Sequence, residues 1–108
     1  MAGSDLYTGT LDVLILKALT WGPMHGYGVG KWIRDTTREA LQVQEGALYP
    51  ALHRLERKGL LEEEWGISET GREAKYYRLT AAGKRQLEQH RQRWDRVAFA
   101  IASVLEGA

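Results

Sequence analysis

Apolar residues recur every three to four positions in four segments of the chain, and this spacing predicts four helices. The first helix is expected to begin at Thr8 or Thr10, the candidate N-caps, and to end near Thr20 before Gly22-Pro23. Its main apolar face comprises Leu11, Leu14, Ile15, Ala18 and Leu19. Further apolar residues make the helix hydrophobic nearly all round, which predicts burial on two sides, against the core and against a second chain.

A second helix is expected from about Gly26 to Thr36, and its predicted inward residues are Tyr27, Val29, Trp32 and Ile33. Two glycines weaken it intrinsically, and we expect them to allow close approach of a neighbouring helix. The following connection, residues 36–43, is expected to contain a short extended segment with Leu41 and Val43.

The third predicted helix, Gly46 to Leu60, has two different faces. Leu48, Leu52 and Leu55 share one side, and Gly59 ends the helix. The opposite side is small at its start and basic at its end, and it carries Gly46, Pro50, His53 and Arg57 with Arg54 beside them. A DNA major groove accepts such a helix, although the pattern is equally that of an ordinary surface helix with solvated charges.

A β-hairpin is predicted directly after this helix. Its strands are residues 61–65 and 74–80, and Ser68 to Arg72 supply the turn. A helix followed by a hairpin with a basic tip is typical of a winged helix-turn-helix, in which the wing touches the DNA backbone or the minor groove. The alternative is a hairpin that only covers the core. Three acids, Glu62 to Glu64, would repel phosphate, and their position predicts that they lie at the hairpin base, away from DNA.

The last helix, from Ala81 to about Glu106 with Thr80 as N-cap, carries a heptad pattern. The pattern comprises Leu87, His90, Trp94, Val97, Ile101 and Val104. We expect this helix to form a homodimer, although part of it must pack on its own domain. The fold class is therefore predicted as mainly α (α+β): a winged helix-turn-helix domain over residues 1–80 with a two-stranded wing, and a long C-terminal dimerisation helix over residues 81–108.

Composition narrows the chemistry. The net charge is only +1, so the case for nucleic acid depends on where the charges lie. Cysteine is absent, which excludes disulfides and thiol chemistry. The three histidines lie on three predicted helices without a carboxylate at a telling spacing, so we expect no catalytic site, no metal site and no cofactor. No signal peptide or membrane-spanning segment is recognised, and the expected location is the cytoplasm.

Several short motifs, taken in order, resemble one family. They are Gly9-Thr10-Leu11, residues 22–28 (GPMHGYG), residues 46–52 (GALYPAL) with Arg54-Leu55-Glu56, Gly59-Leu60, and residues 75–80 (KYYRLT) with Gly83. Each motif is weak alone, but their order and spacing are specific. The chain resembles the PadR family of bacterial and archaeal transcriptional regulators over about residues 9–106, and its single C-terminal helix resembles the short subfamily.

The resemblance implies a dimeric repressor of a pseudo-palindromic operator, often near its own gene or a gene for efflux, stress or catabolism. It also implies release by an aromatic or cationic small molecule or another signal. The expected DNA-binding residues are Tyr49, Pro50, His53, Arg54, Arg57, Arg72, Lys75 and Tyr77. Of Tyr76 and Tyr77, strand alternation requires one to pack inward.

The expected dimer or ligand interface also follows from the resemblance. It comprises Leu11, Leu14, Ile15, Leu87, Trp94, Val97, Ile101 and Val104. Trp94 is placed either to stack on a flat ligand or simply to fill the dimer core. The alternative function is a winged-helix module that binds proteins or small molecules and has lost DNA binding.

Overall fold

The computed structural model describes residues 2–107, with side chains from Gly9 onward, and it contains four α-helices and three strands. In chain order the elements are α1 (Ala2–Ala18), a 3-10 turn (Leu19–Trp21), β1 (Met24–His25), α2 (Gly26–Thr36), α3 (Glu45–Arg57), β2 (Leu61–Ile67), β3 (Glu73–Leu79) and α4 (Ala81–Glu106).

Helix α1 starts earlier than its sequence suggested. Thr8 and Thr10 lie inside the helix, so the prediction that one of them caps it was wrong. No proline lies within residues 2–10, so nothing in the backbone blocks helical hydrogen bonding through both threonines. The predicted stop is confirmed, because the helix tightens to a 3-10 turn and Gly22 adopts φ 133°, a conformation that side chains disfavour.

One hydrophobic core lies between α1, α2, α3 and the base of the sheet. The largest fully buried side chains come from all of these elements and are Ile15, Leu16, Val29, Ile33, Leu48, Leu52, Leu55 and Leu61. The prediction that Tyr27 points inward was wrong, since this ring is 62% exposed, and Trp32 is only partly buried. The other two predicted inward residues of α2, Val29 and Ile33, are fully buried.

The α2–α3 connection forms turns and coil, and neither Leu41 nor Val43 belongs to a strand. Arg38 and Glu39 both have positive φ values, 52° and 65°, which bend the chain sharply. The sheet of the described residues consists of β1, β2 and β3, and the connection pairs with none of them.

The sheet has strand order β1-β3-β2 and is antiparallel throughout. Leu61 pairs with Leu79 at the base of the hairpin, and Ile67 pairs with Glu73 next to the tip. The two-residue strand β1 was not predicted, because two residues are too short to show alternation. It pairs His25 with Tyr76 and so fixes the start of α2 against the hairpin.

Helix α4 is attached to the base of the hairpin. The Thr80 hydroxyl accepts the Gly83 amide at 3.0 Å, as predicted for an N-cap, and donates to the Gly59 carbonyl at 2.8 Å. A Cβ at Gly83 would collide with the Leu60 carbonyl, so only glycine permits this close approach. Helices α2 and α3 with the β2–β3 hairpin therefore form a winged helix-turn-helix, from which the second half of α4 projects with most side chains exposed.

Candidate nucleic-acid interface

Helix α3 presents its polar side outward, as its sequence predicts. Leu48, Ala51, Leu52 and Leu55 are buried, and these positions recur on one helical face. Pro50, His53 and Arg57 are exposed. The helix ends at Arg57, and Gly59 follows with φ 76°, which confirms the predicted stop.

A cleft of about 1000 Å³ separates α3 from the wing. Tyr49 and His53 line it from α3, Arg72 and Lys75 line it from the hairpin, and Lys31 lines it from α2. The cleft therefore gathers side chains of α2, α3 and the hairpin around one open space. Tyr27 and Lys31 of α2 were not predicted here, although their i, i+4 spacing already placed them on one face of the helix.

The wing tip is a hydrogen-bonded turn that holds Arg72 outward. The Ser68 amide donates to the Arg72 carbonyl at 2.8 Å, and the Arg72 amide donates to the Ser68 hydroxyl at 3.3 Å. Gly71 takes φ 82°, as a tight turn requires. The Arg72 side chain is exposed beside the cleft, where the sequence placed it.

His25 has a structural role at the edge of this cleft. Its Nδ1 accepts the Gly28 amide at 2.9 Å, which caps α2, and its ring lies edge-on to Tyr76 with the centroids 5.6 Å apart. The hydrogen bond to the Gly28 amide makes His25 the N-cap of α2, which accounts for its position directly before the helix. The bond occupies Nδ1 of the ring, although His25 also lines the cleft.

Arg54 is not among the residues that line the cleft, and its predicted DNA contact stays a prediction. Its guanidinium donates to the carboxylate of Asp12 on α1, and the pair is largely buried on the Asp12 side. A buried carboxylate requires a partner, and the long Arg54 side chain reaches across the helix–helix contact to supply it. Sequence spacing placed Arg54 beside the polar face of α3, but this spacing did not show that the side chain reaches Asp12.

The ammonium group of Lys75, which was predicted to contact DNA, is held by carboxylates of the same chain. Its ammonium forms ion pairs with Glu63 of the neighbouring strand and with Glu56 of α3. The hydrogen bond to Glu63 raises the pKa of Lys75. A hydrogen bond from Glu56 to Glu63 raises the pKa of Glu56 and lowers that of Glu63, so the cluster ties the wing to α3.

Tyr77 lies in the core, and its predicted DNA contact was wrong. The side chain is only 2% exposed, and burial raises the pKa of its hydroxyl. It shares a strand face with the buried Leu79, whereas Tyr76 lies on the opposite face and is half-buried.

The acidic run in β2 forms ion pairs with two cations of β3. Glu62 and Glu64 both form ion pairs with Arg78, which raises the pKa of the guanidinium, and Glu63 pairs with Lys75. Glu62 lies near the base of the hairpin, opposite Arg78. The repulsion that these carboxylates would exert on phosphate is therefore partly offset by paired cations.

The predicted dimer residues fall into two groups. Leu11 and Ile15 are buried within the core of the same chain, so their assignment to a dimer interface was wrong, and Leu14 and Leu87 pack partly against that core. The exposed members on α4 are Trp94, Ile101 and Val104, with Val97 half-buried. Phe99, 75% exposed, and Leu105, 80% exposed, were missed because they lie off the heptad pattern.

A small cavity of about 130 Å³ lies between α1 and α4. It is lined by Gly9, Thr10, Val13, His90, Arg93, Trp94 and Val97. Within residues 9–107, no group of three or more His, Asp or Glu side chains could hold a metal ion. None of the described helices is both long and apolar enough to cross a membrane.

A model of the PadR-like transcriptional regulator family matches residues 15–89, which include α2, α3, the complete hairpin and the start of α4. The chain belongs to the PadR-like family of transcriptional regulators. This family membership confirms the resemblance drawn from the motifs, and it places the winged helix-turn-helix in a family of DNA-binding regulators.

Relatives of similar length support the membership. An uncharacterised protein of Lysinibacillus sphaericus is 34% identical over 107 residues, covering 99% of this chain and 98% of that protein. A transcriptional regulator of Mycobacterium tuberculosis is 39% identical over 73 residues, which is 67% of each chain.

Solved structures show the same PadR-like architecture. A transcriptional regulator from Clostridium thermocellum has a TM-score of 0.82 at 33% identity, covering 92% of this chain and 96% of that chain. A PadR-like regulator from Bacillus cereus has a TM-score of 0.81 at 29% identity, covering 96% and 99%. The PadR-like motifs GPMHGYG and GALYPAL meet in this fold where Gly26 contacts Tyr49.

Proposed function

We propose that this PadR-like regulator acts in the cytoplasm as a homodimeric repressor of a pseudo-palindromic operator, released by a small molecule or another signal. The observation that carries the proposal is the cleft between α3 and the wing, lined by His53 from the helix and Arg72 from the wing tip. Two basic side chains on separate elements then contact one stretch of duplex from two sides.

Helix α3 is the element proposed to enter the major groove. Gly46 and Pro50 keep its exposed side narrow near the start, and His53 and Arg57 follow on the same side. Arginine can donate two hydrogen bonds to guanine, whereas histidine more often contacts phosphate. Arg57 is therefore assigned to base recognition, and His53 with Tyr49 to the sugar-phosphate backbone.

The wing is proposed to hold the adjacent backbone through Arg72. The side chain is exposed on a tip whose turn is fixed by hydrogen bonds, so little ordering is needed on binding. Arg72 can alternatively enter a minor groove that A·T sequence has narrowed. Lys75 lines the same cleft, but its carboxylate partners must release it before it can contact phosphate.

A second copy of the chain is proposed to cover the apolar side chains of α4. Trp94, Ile101 and Val104 follow heptad spacing, and all three are exposed in the single chain. Exposed apolar surface of this kind is unfavourable in water. In a symmetric dimer the same row of side chains is buried on both chains at once. Residues 81–108 then serve as the dimerisation segment, and two α3 helices meet two operator half-sites.

The cavity between α1 and α4 is proposed as the effector site. Trp94 offers an aromatic face, and an aromatic or cationic ligand could stack on it. At about 130 Å³ the cavity of one chain is small, so a flat ligand requires the partner helix to complete the site. In the alternative arrangement the two Trp94 rings fill the dimer core.

Fluorescence anisotropy with the protein's own upstream DNA and a shuffled duplex, across a salt series, tests the proposal. We expect the upstream DNA to bind about a thousandfold more tightly or better, with half-sites about one helical turn apart. Arg57→Ala should remove much of this preference, and Lys84→Ala, beyond the hairpin base on α4, is the matched control. Absence of binding to either duplex at low salt would contradict the proposal and favour the interaction-module alternative.

A further inference from the structure

Asp12 is buried in the middle of α1, where the neighbouring positions are apolar. It is 6% exposed and is the charged residue that the described part of the chain buries most fully. A carboxylate in such a place is strongly disfavoured unless a cation compensates it. Arg54 of α3 provides that cation through a direct hydrogen bond to Oδ1.

The Asp12–Arg54 ion pair joins helices α1 and α3. Lys31 and Asp35 pair within α2, and Arg78 pairs with its neighbours within the hairpin. Among the residues that the structure describes, Asp12–Arg54 is the ion pair that links two helices. Its position matters because Arg54 directly follows His53 on α3.

A third helix meets α1 and α3 at the same place. His90 of α4 lines a cavity together with Val13, the residue that follows Asp12. Burial, the largest cause, and the nearby cation Arg93 lower the pKa of His90, and the charge of Asp12 opposes this shift. Asp12 therefore lies where α1, the C-terminal end of α3 and α4 approach one another. A change in the packing of α1 against α4 acts directly on the carboxylate that holds Arg54.

We infer that Asp12 and Arg54 are positioning residues that set the orientation of α3 toward DNA, although neither contacts a base. The inference rests on the proposed operator binding. With its guanidinium held at α1, Arg54 fixes the rotation of α3 about its axis, and the exposed side chains one position before it and three after it take their direction from this rotation. Sequence-specific base contacts require these side chains to point in defined directions, whereas nonspecific attraction to phosphate depends less on direction.

The competing interpretation is that Arg54 leaves Asp12 and reads a base itself. The two interpretations predict different mutant patterns. If Arg54 reads a base, its substitution should remove discrimination at one base pair. Substitution of Asp12 would then only release Arg54 and should not weaken binding. A positioning pair gives the same defect from either side, and the double variant is no worse than either single one.

The experiment compares Asp12→Asn, Arg54→Gln and the double variant with the wild-type protein on operator and shuffled DNA. Each single variant should weaken operator binding about tenfold or more and shuffled-DNA binding by about twofold or less, with the double variant matching the singles. Glu88→Gln removes an exposed carboxylate on α4, away from the cleft, and is the control, expected to bind as wild type. Additive losses, or a wild-type operator affinity for Asp12→Asn, would overturn the inference.

Amide hydrogen exchange without DNA separates this inference from the proposed function. In folded Asp12→Asn, protection should fall across residues 45–57 while the hairpin pairs between β2 and β3 keep theirs. This readout decides the positioning role even if the wild-type protein fails to bind its upstream DNA. Unchanged protection in α3 would refute the positioning role whatever the DNA result.

Discussion

The ring of Tyr49 on α3 lies directly against Gly26 at the start of α2. A Cβ placed at Gly26 would be 2.6 Å from Cε1 of that ring, closer than real contacts allow. The contact joins two helices of the winged helix-turn-helix at the cleft, and it leaves Tyr49 half-buried rather than fully presented to a ligand. Gly26 is therefore required by packing and not by its backbone angles.

Gly26→Ala should destabilise the protein and weaken operator binding together, because the methyl group must displace the Tyr49 ring. Overpacking of this kind costs about 1–3 kcal/mol, which urea denaturation measures. Gly46→Ala is the matched control for stability, since nothing lies within 4 Å of a Cβ there. Gly46→Ala should be neutral or stabilising by up to about 1 kcal/mol. Equal stabilities for the two variants would contradict the packing role of Gly26.

Arg72→Ala at the wing tip should weaken operator and shuffled DNA by similar factors. One phosphate contact fewer should reduce the slope of log K against log salt by about one unit. Anisotropy titrations over a salt series measure this slope, and Glu69→Gln on the same tip controls for a change of wing charge in the opposite direction. A loss confined to the operator would instead assign Arg72 to a narrow minor groove.

Most elements could be predicted from the sequence because their signals are local. The leucine spacing of α3, the positive φ at Gly59 and the Thr80 cap each involve residues within one or two turns. The two-residue β1 and the early start of α1 carried no comparable signal. Tyr77 is different: its two-residue spacing from the buried Leu79 already indicated the inward face.

The candidate site was predicted less completely, and the reason is the reach of long charged side chains. Helical spacing places a Cβ, but the ends of Arg54 and Lys75 lie several bonds further out and follow their carboxylate partners. Those partners, Asp12 and Glu63, are distant in sequence and become neighbours only in the folded chain. His53, Arg57 and Arg72 lie on the surface where they were predicted. The carboxylate near His53 belongs to Glu56, three residues along the same helix, and does not draw the ring inward.

Ile101→Asp on α4 should convert the proposed dimer to a monomer. The substitution places a charge in the row of exposed apolar side chains, where a partner helix would have to bury it. Sedimentation velocity over a range of protein concentrations measures the change. Gln89→Asp on the same helix, about 120° around the axis from Ile101, is the control and should leave the dimer intact. A wild-type chain that remains monomeric at high concentration would contradict the dimer itself.

His90 should make the protein less stable in mild acid. Burial, the largest cause, and the nearby cation Arg93 lower its pKa below the ordinary value of 6.5, against the opposing effect of Asp12. The unfolded chain therefore takes up a proton near pH 6.5 while the folded chain resists it, so stability falls as the pH drops from that value toward the lowered pKa. Above this window the effect vanishes, because both states are neutral.

The measurement is urea denaturation of wild type and His90→Gln between about pH 8 and about pH 5.5. Glutamine cannot titrate, so the variant should lose less stability than wild type in the acidic half of this range, and the two curves should run parallel above it. His25 and His53 are present in both proteins and cancel in the comparison. Parallel curves throughout, or a wild-type protein that gains stability in acid relative to the variant, would show that burial does not hold His90 in its neutral form.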